Sequence, residues 1–380
     1  MSSYHQMGHD SWNLVTEAAL SSFGGLVLSP VNDSPGQVSE KLAILGPRRD
    51  HLDIILDPQF YKPKSDRGSL TDWLHIDNNF DTADLANMGW WTERCHRLAE
   101  QGEQLGVNAI ASPAAIPRAF DAAYYDWVIE CAEALQSLLD GQKTSALITA
   151  LVHVPELAQQ GTADRIASIL TRSRISRVYL VFVDEGAPRT QRTDSEALAG
   201  AMSLIRTLES AGSRVLLAFS GLDMLIWKFA GATDVATGKF FNLRRFVPGR
   251  WDDPAEGGRV LPYWTDNDFI AWFREEDVRL LLRLGLLDRK RASANPYSRE
   301  ILALLDGRSG EPWLRLGWRQ YMYWFAQREA EIGTGNVDVR DMLEHTDQLW
   351  LDLEKRRVRL FERPNNGEWI RAWLNALLLL

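Results

Sequence analysis

Short apolar runs rich in Val, Ile and Leu recur along the first two thirds of the chain, each followed by a turn and an amphipathic stretch. That pattern belongs to parallel strands buried on both faces and joined by helices. Seven runs stand out, at 25–31, 52–57, 108–112, 146–154, 177–184, 214–220 and 233–237. An eighth, 260–264, is weaker, and 73–76 competes with it for a place in the sheet. Helical spacing predicts intervening helices at 82–105, 119–139, 162–173, 195–211 and 222–230. Thr193, Asp194 and Ser195 supply N-cap chemistry for the fourth of these, and Gly212 sits where its terminating glycine is expected.

Strand and helix alternating in this way leave two architectures, a closed barrel or an open doubly wound sheet. An open dinucleotide-binding sheet places a glycine-rich turn after its first strand, whereas here the first run leads into Ser29-Pro30-Val31-Asn32-Asp33. The expectation is therefore an α/β fold, a TIM-like (β/α)8 barrel. From about residue 266 the pattern changes to helix after helix, at 266–284, 298–305, 313–332, 339–355 and 369–380, with no strand run between them. At 380 residues the chain has room for a barrel of roughly 250 residues and an appendage. The division expected is a barrel domain over 1–285 and a helical C-terminal region over 286–380.

Composition narrows the function classes. A net charge of −9 would repel a phosphate backbone, so nucleic acid could bind only at a local basic patch. Two such patches, Arg289-Lys290-Arg291 and Lys355-Arg356-Arg357 with Arg359, alternate with acids and read as solvated helix ends. The two cysteines, Cys95 and Cys131, form no ligand-like pair, so neither a disulfide framework nor a zinc site is suggested. With no basic-then-apolar leader and no apolar run long enough for a bilayer, a cytoplasmic location away from membranes is expected. No motif names a cofactor.

In a β/α barrel the loops after the strands build the active face, so polar residues at strand ends are the first candidates. Asp184 and Glu185 close the most apolar strand and are read as a metal, hydroxyl or proton-handling pair, or else as the start of an exposed loop. Asp57 before Pro58 and His153 at the end of its strand are further acid/base candidates. The fifteen tryptophans superficially suggest sugar platforms, but Trp313, Trp318, Trp324, Trp350, Trp369 and Trp373 fall at helical spacing, where core packing explains them better.

The segment 214–246, RVLLAFSGLDMLIWKFAGATDVATGKFFNLRRF, is the most informative. A strand ends at Ser220, a short helix follows, and a second strand delivers Gly238 and Lys239 to the mouth, with Arg244 and Arg245 beyond. This is the late-loop arrangement that holds a phosphate or acidic group. The alternative is a tight connection whose arginines pair with Asp252 and Asp253. Over this segment the chain resembles the late barrel region of the tRNA-guanine transglycosylase family, where strand, short helix and strand precede an arginine-containing loop. The resemblance implies a TIM barrel and chemistry on a nucleoside. The chain departs from the family where a nucleophilic Asp is expected, since Ala236 and Thr237 stand there, and it lacks the family's zinc-binding cysteines.

Two function classes follow. One is an enzyme, or former enzyme, binding a nucleoside, nucleotide or other phosphorylated ligand at the mouth, with Asp57, His153, Asp184 and Glu185 as catalytic candidates. Ser220, Gly238, Lys239, Arg244 and Arg245 would then be the anion binders. The other is a non-catalytic subunit of a bacterial multi-protein complex such as a defence system, contacting a protein partner through the aromatic run Trp318, Tyr321, Tyr323, Trp324 and Phe325.

Overall fold

A computed structural model describes residues 2–77, 79–252, 260–307 and 312–380. Eight parallel strands form a closed barrel in sequence order. They are β1 (Ser2–Gln6), β2 (Gly25–Leu28), β3 (Asp53–Leu56), β4 (Ala109–Ala111), β5 (Ser145–His153), β6 (Arg177–Val183), β7 (Arg214–Leu217) and β8 (Asp234–Thr237). The first seven sequence runs became β2 to β8. The closing strand is β1, which pairs with β2 on one side and with β8 on the other.

The run at 260–264 is not the eighth strand. Trp264–Asp266 instead forms strand β9, paired antiparallel with β10 (Ala271–Phe273) in a separate hairpin. Nor is 73–76 a strand, since Trp73 follows a single 3-10 turn. β1 escaped the hydrophobic pattern because its inward side chains are polar and satisfied inside the barrel. The Tyr4 hydroxyl donates to Asp53 at 2.7 Å and Gln6 reaches the Tyr179 hydroxyl at 3.2 Å. Glycine at position 25 is required there, because a Cβ would lie 2.2 Å from the Tyr4 ring.

Each strand through β7 is followed by a helix: α1 (Trp12–Val15), α2 (Pro35–Ile44), α3 (Met88–Leu105), α4 (Ala122–Leu139), α5 (Thr162–Leu170), α6 (Ser195–Ser210) and α7 (Met224–Phe229). Caps set their starts: Ser34 and Gln37 form a capping box on α2, and Asp194 accepts from the N–H groups of Glu196 and Ala197 on α6. The helix read at 82–105 is broken, because Asn87 caps a fresh start at Met88. α6 packs Leu198, Leu204, Ile205 and Leu208 inward, and each such burial stabilises by about 1.5–3 kcal/mol.

The C-terminal helices are α8 (Glu275–Arg283), α9 (Arg289–Ala292), α10 (Pro296–Asp306), α11 (Leu314–Gly333), α12 (Val339–Lys355) and α13 (Glu368–Leu379). The stretch 266–284, read as one helix, is the β9–β10 hairpin followed by the shorter α8. A strand pair therefore does interrupt the helical region. One apolar cluster runs continuously from the barrel into these helices. The Tyr321 hydroxyl on α11 lies 2.6 Å from Thr237 Oγ1 at the end of β8, Lys228 on α7 meets Glu329 on α11 at 2.9 Å, and Trp373 on α13 donates to the Arg192 carbonyl at 3.0 Å. Trp264, Trp313, Trp324, Trp350, Trp369 and Trp373 are all buried. No described helix is long and apolar enough to cross a membrane.

Candidate functional site

Asp57 leaves β3 at the C-terminal end of the barrel and is fully buried on the axis. One carboxylate oxygen accepts from the Gln59 N–H at 2.9 Å and the Tyr61 hydroxyl at 3.0 Å; the other accepts from Tyr61 at 3.0 Å and Tyr179 at 3.1 Å. All of these donors are neutral. Arg250 is a cation whose charge reaches Asp57, and it does so without a hydrogen bond, donating instead to Ser29 Oγ at 3.1 Å. Desolvation outweighs these favourable contacts and raises the Asp57 carboxyl to about 6. Burial pushes both phenols up, so they remain donors at neutral pH, and brings Arg250 down to about 10.

The surroundings of this carboxyl are strained and incompletely paired. Gln59 takes a left-handed backbone at φ 53° and aims its amide oxygen at Ser29 Oγ and the Val31 N–H, both at 3.1 Å. Phe219, at the end of β7, also has φ 53°. A non-glycine residue in that region costs of order 1–3 kcal/mol and persists only where its surroundings hold it. Gln59 Nε2, Arg250 Nε, Trp251 Nε1 and Thr149 Oγ1 are buried without a partner among the described residues.

The chain after β8 crosses the mouth. Phe246 bridges to Val183 at the end of β6, and the loop then reaches the β2–β3 side, where Ser65 Oγ donates to the Trp251 carbonyl at 2.6 Å. Tyr61, Phe219, Phe246 and Trp251 pack edge to face or tilted, with ring centroids 4.8 to 6.5 Å apart, and close the axis above Asp57. Outside this seal lies an open depression whose floor includes Tyr61 and Trp251 and whose rim carries Phe80, two lysines, Lys62 and Lys64, and two acids, Asp66 and Asp252. Lys64 sits 5.6 Å over the Phe80 ring, and Lys62 pairs with Asp252.

The other sequence candidates lie at the same end of the barrel but in other company. Asp184 accepts from Arg192 Nε at 2.6 Å and Arg245 Nε at 2.7 Å, and Arg192 also bonds Asp223. These guanidinium groups overcome the desolvation that burial imposes and hold the Asp184 carboxyl below its usual value. Glu185 is exposed beside it. Arg245 therefore pairs with Asp184, while Asp252 pairs with Lys62; Asp253, the other acid considered, lies outside the described residues. Arg244 donates to the carbonyls of Gly238 and Lys239 at 3.0 and 2.8 Å and stacks 3.4 Å from the Tyr321 ring centroid. Lys239 donates to the Asp10 carbonyl at 2.7 Å between Phe240 and Trp318, and burial lowers it to about 8.

At Gly238 the space of a Cβ is taken by the Gln6 carbonyl, 2.6 Å away. The Ser220 hydroxyl turns back to the Leu217 carbonyl at 3.3 Å. His153 is half-buried, stacked on Phe120 and 3.2 Å from Glu156, with no hydrogen bond to the Asp57 cluster. Gln6, Gln59, Tyr61, Tyr179 and Arg250 were not among the sequence candidates. The available signal was a polar residue at an inward position of an apolar strand, as at Tyr179 and Gln6. Among the described residues no group of three or more His, Cys, Asp or Glu is arranged to hold a metal.

No family model and no curated protein matches the chain. Solved structures do match in part. QR15, an aldolase, is 13% identical over 62% of this chain and 89% of its own, with a TM-score of 0.36. A GH18 chitinase from Pseudoalteromonas aurantia is 9% identical over 64% and 95%, with a TM-score of 0.37. The tryptophan synthase α2β2 complex from Pyrococcus furiosus is 16% identical over 62% and 86%, with a TM-score of 0.32. The architecture is established by the strand order of the closed barrel itself.

Proposed function

We propose that the chain is an enzyme acting on a small phosphorylated ligand with an aromatic ring, of the nucleoside or nucleotide class, at the β2–β4 side of the barrel mouth. The observation that carries this reading is Asp57: a buried carboxyl whose hydrogen-bond partners are all neutral, poised near pH 6, beneath a depression rimmed by Phe80 and two lysines. A carboxyl so placed holds a proton below about pH 6 and accepts one above it, as general acid/base work at near-neutral pH requires. Phe80 supplies stacking surface at the rim, above a floor closed by the buried Tyr61 and Trp251, and Lys64, with Lys62 once it leaves Asp252, supplies charge for a phosphate. Tyr61, which lines the depression and hydrogen-bonds both Asp57 oxygens, links the two levels. Contact between ligand and Asp57 requires the aromatic seal of Tyr61, Phe219, Phe246 and Trp251 to open.

Calorimetric titration with nucleoside monophosphates and their parent nucleosides tests the reading. The monophosphate should bind more tightly than the nucleoside, and the difference should shrink at least tenfold in a Lys62→Ala/Lys64→Ala double variant. Asp57→Asn should keep binding and lose turnover. Absence of saturable binding by any nucleotide would remove the proposal.

A scaffold role in a multi-protein complex is the second reading, favoured by the aromatic seal over the axis and by the exposed Phe361, Leu378 and Leu379. It is supported instead if the protein co-purifies in a stoichiometric complex that Leu378→Asp/Leu379→Asp dissociates while nucleotides fail to bind.

A further inference from the structure

Away from the barrel mouth, a partly enclosed cavity of about 160 Å3 lies between the β9 strand, the start of α10 and one face of α11. That is close to the volume of an engineered cavity of roughly 150 Å3 that admits benzene. Its walls include three aromatic rings, Trp264, Tyr323 and Trp324, and its polar lining has a definite sign: four carboxylates, Asp266, Asp268, Asp288 and Glu331, against two guanidinium groups, Arg291 and Arg328.

Each guanidinium is already engaged. Arg291 meets Asp268 at 2.9 Å, and Arg328 lies 2.6 Å from Glu331 in a charge contact that lacks hydrogen-bond alignment. Asp288 caps α9 through the N–H groups of Lys290 and Arg291. Asp266 is the group left over. It is only 5% exposed, and its oxygens accept from the Asp268 and Phe269 N–H groups at 3.0 and 2.9 Å and from Trp264 Nε1 at 3.0 Å. No cation contacts it among the described residues.

A buried carboxylate normally has a charged partner, because removing it from water without one is expensive. Three neutral donors leave one lone-pair direction of Asp266 open, and that residue lines the cavity. Thr265 beside it is 4% exposed, and its hydroxyl has no partner among the described residues. Its backbone N–H and carbonyl are both taken by the Gln320 side chain, at 2.8 and 3.0 Å, which closes the free edge of β9. The hydroxyl is therefore a polar group not needed for holding the wall together.

We infer that this cavity binds a small organic ammonium ion with an apolar body, its charge set against Asp266 and its alkyl groups against the three rings. Aromatic faces attract such cations through the ring quadrupole, and a carboxylate in the same niche adds direct charge pairing. The inference does not rest on the barrel-mouth reading, since the two sites share no residue.

Calorimetry on the full chain with choline, and with its uncharged isostere 3,3-dimethylbutan-1-ol, tests it. Choline should bind saturably, with the alcohol at least tenfold weaker. Asp266→Asn should weaken choline at least tenfold and abolish that preference. Because Asn at 266 can also disturb the Trp264 contact and the hairpin turn, Ala292→Phe provides a second arm: it fills the cavity with the carboxylate intact and should abolish choline binding while the melting temperature is retained. Equal binding of the two probes, no binding of choline, or unchanged choline affinity in Ala292→Phe would each overturn the inference.

Discussion

On the β6–β8 side of the barrel mouth the buried charges neutralise one another: Asp184, Arg192, Asp223 and Arg245 form a single chain of ion pairs. On the β2–β3 side Asp57 has two phenols and a backbone N–H for company, and its nearest cation stops short of a hydrogen bond. Both carboxylates end a barrel strand, and both are buried. What separates them is the charge of the donors. Paired with arginines, a carboxylate is fixed in its ionised form and ties loops together. Surrounded by neutral donors, it titrates near neutrality and stays available to a proton or a ligand.

The largest effect should come from the paired side. Arg192→Met leaves Asp184 with Arg245 alone and strands Asp223, and urea unfolding should show a loss of about 3–5 kcal/mol; a loss under about 1 kcal/mol would mean the network is not what holds these loops.

Next comes the pH dependence, where the two halves should differ in sign. The Asp57 carboxyl is near 6 when folded and near 3.8 when unfolded, so the folded state binds the extra proton and stability falls as pH rises from about 4 to 6. Asp57→Asn should remove that fall, a difference on the order of 3 kcal/mol by pH 7. Asp184 is lowered when folded, so its contribution is present above its unfolded value and disappears as pH falls below 3.8. Melting curves of Asp57→Asn and Asp184→Asn from pH 3 to 8 should both separate from the parent as pH rises above about 4, and in opposite directions, Asp57→Asn becoming the more stable and Asp184→Asn the less stable.

A smaller effect is expected at the start of α2, on the open side. Ser34→Ala removes the capping box and should cost about 1 kcal/mol in the same unfolding assay. Smallest of all, Lys64→Ala should change stability by less than about 0.5 kcal/mol, because the side chain is exposed and pairs with no acid among the described residues. A cation that matters to binding but not to folding is what the contrast between the two halves requires.

The barrel was legible because seven of its strands are buried on both faces, and burial writes itself as runs such as Val178 to Val183. β1 was not, because Tyr4 and Gln6 satisfy their polar groups inside the barrel and so break the apolar pattern. The β9–β10 hairpin hid for a related reason. Its turn is held by Asp266 accepting two N–H groups and passes through Ile270 at φ 48°, a conformation that no local propensity favours. At the site, Asp57 and Asp184 could be picked out as strand-end acids, but their partners come from distant segments: Tyr179 is 122 residues from Asp57, and Arg245 is 61 from Asp184. Which acid meets an arginine and which meets a tyrosine is decided by the barrel's closure and the loop across its mouth, neither of which is a local property of the sequence.

That closure has a kinetic side. Ser2 bonds Asp234 across 232 positions, so the seam between the two ends of the sheet joins segments made at widely separated times during synthesis. Until β8 emerges, β1 to β7 form an open ribbon with two unsatisfied margins, and closing so long a loop is slow. The hazard for this chain therefore lies in translation, when those margins can pair with a neighbouring nascent chain, and it would be relieved by whatever shields β1 until its second partner arrives.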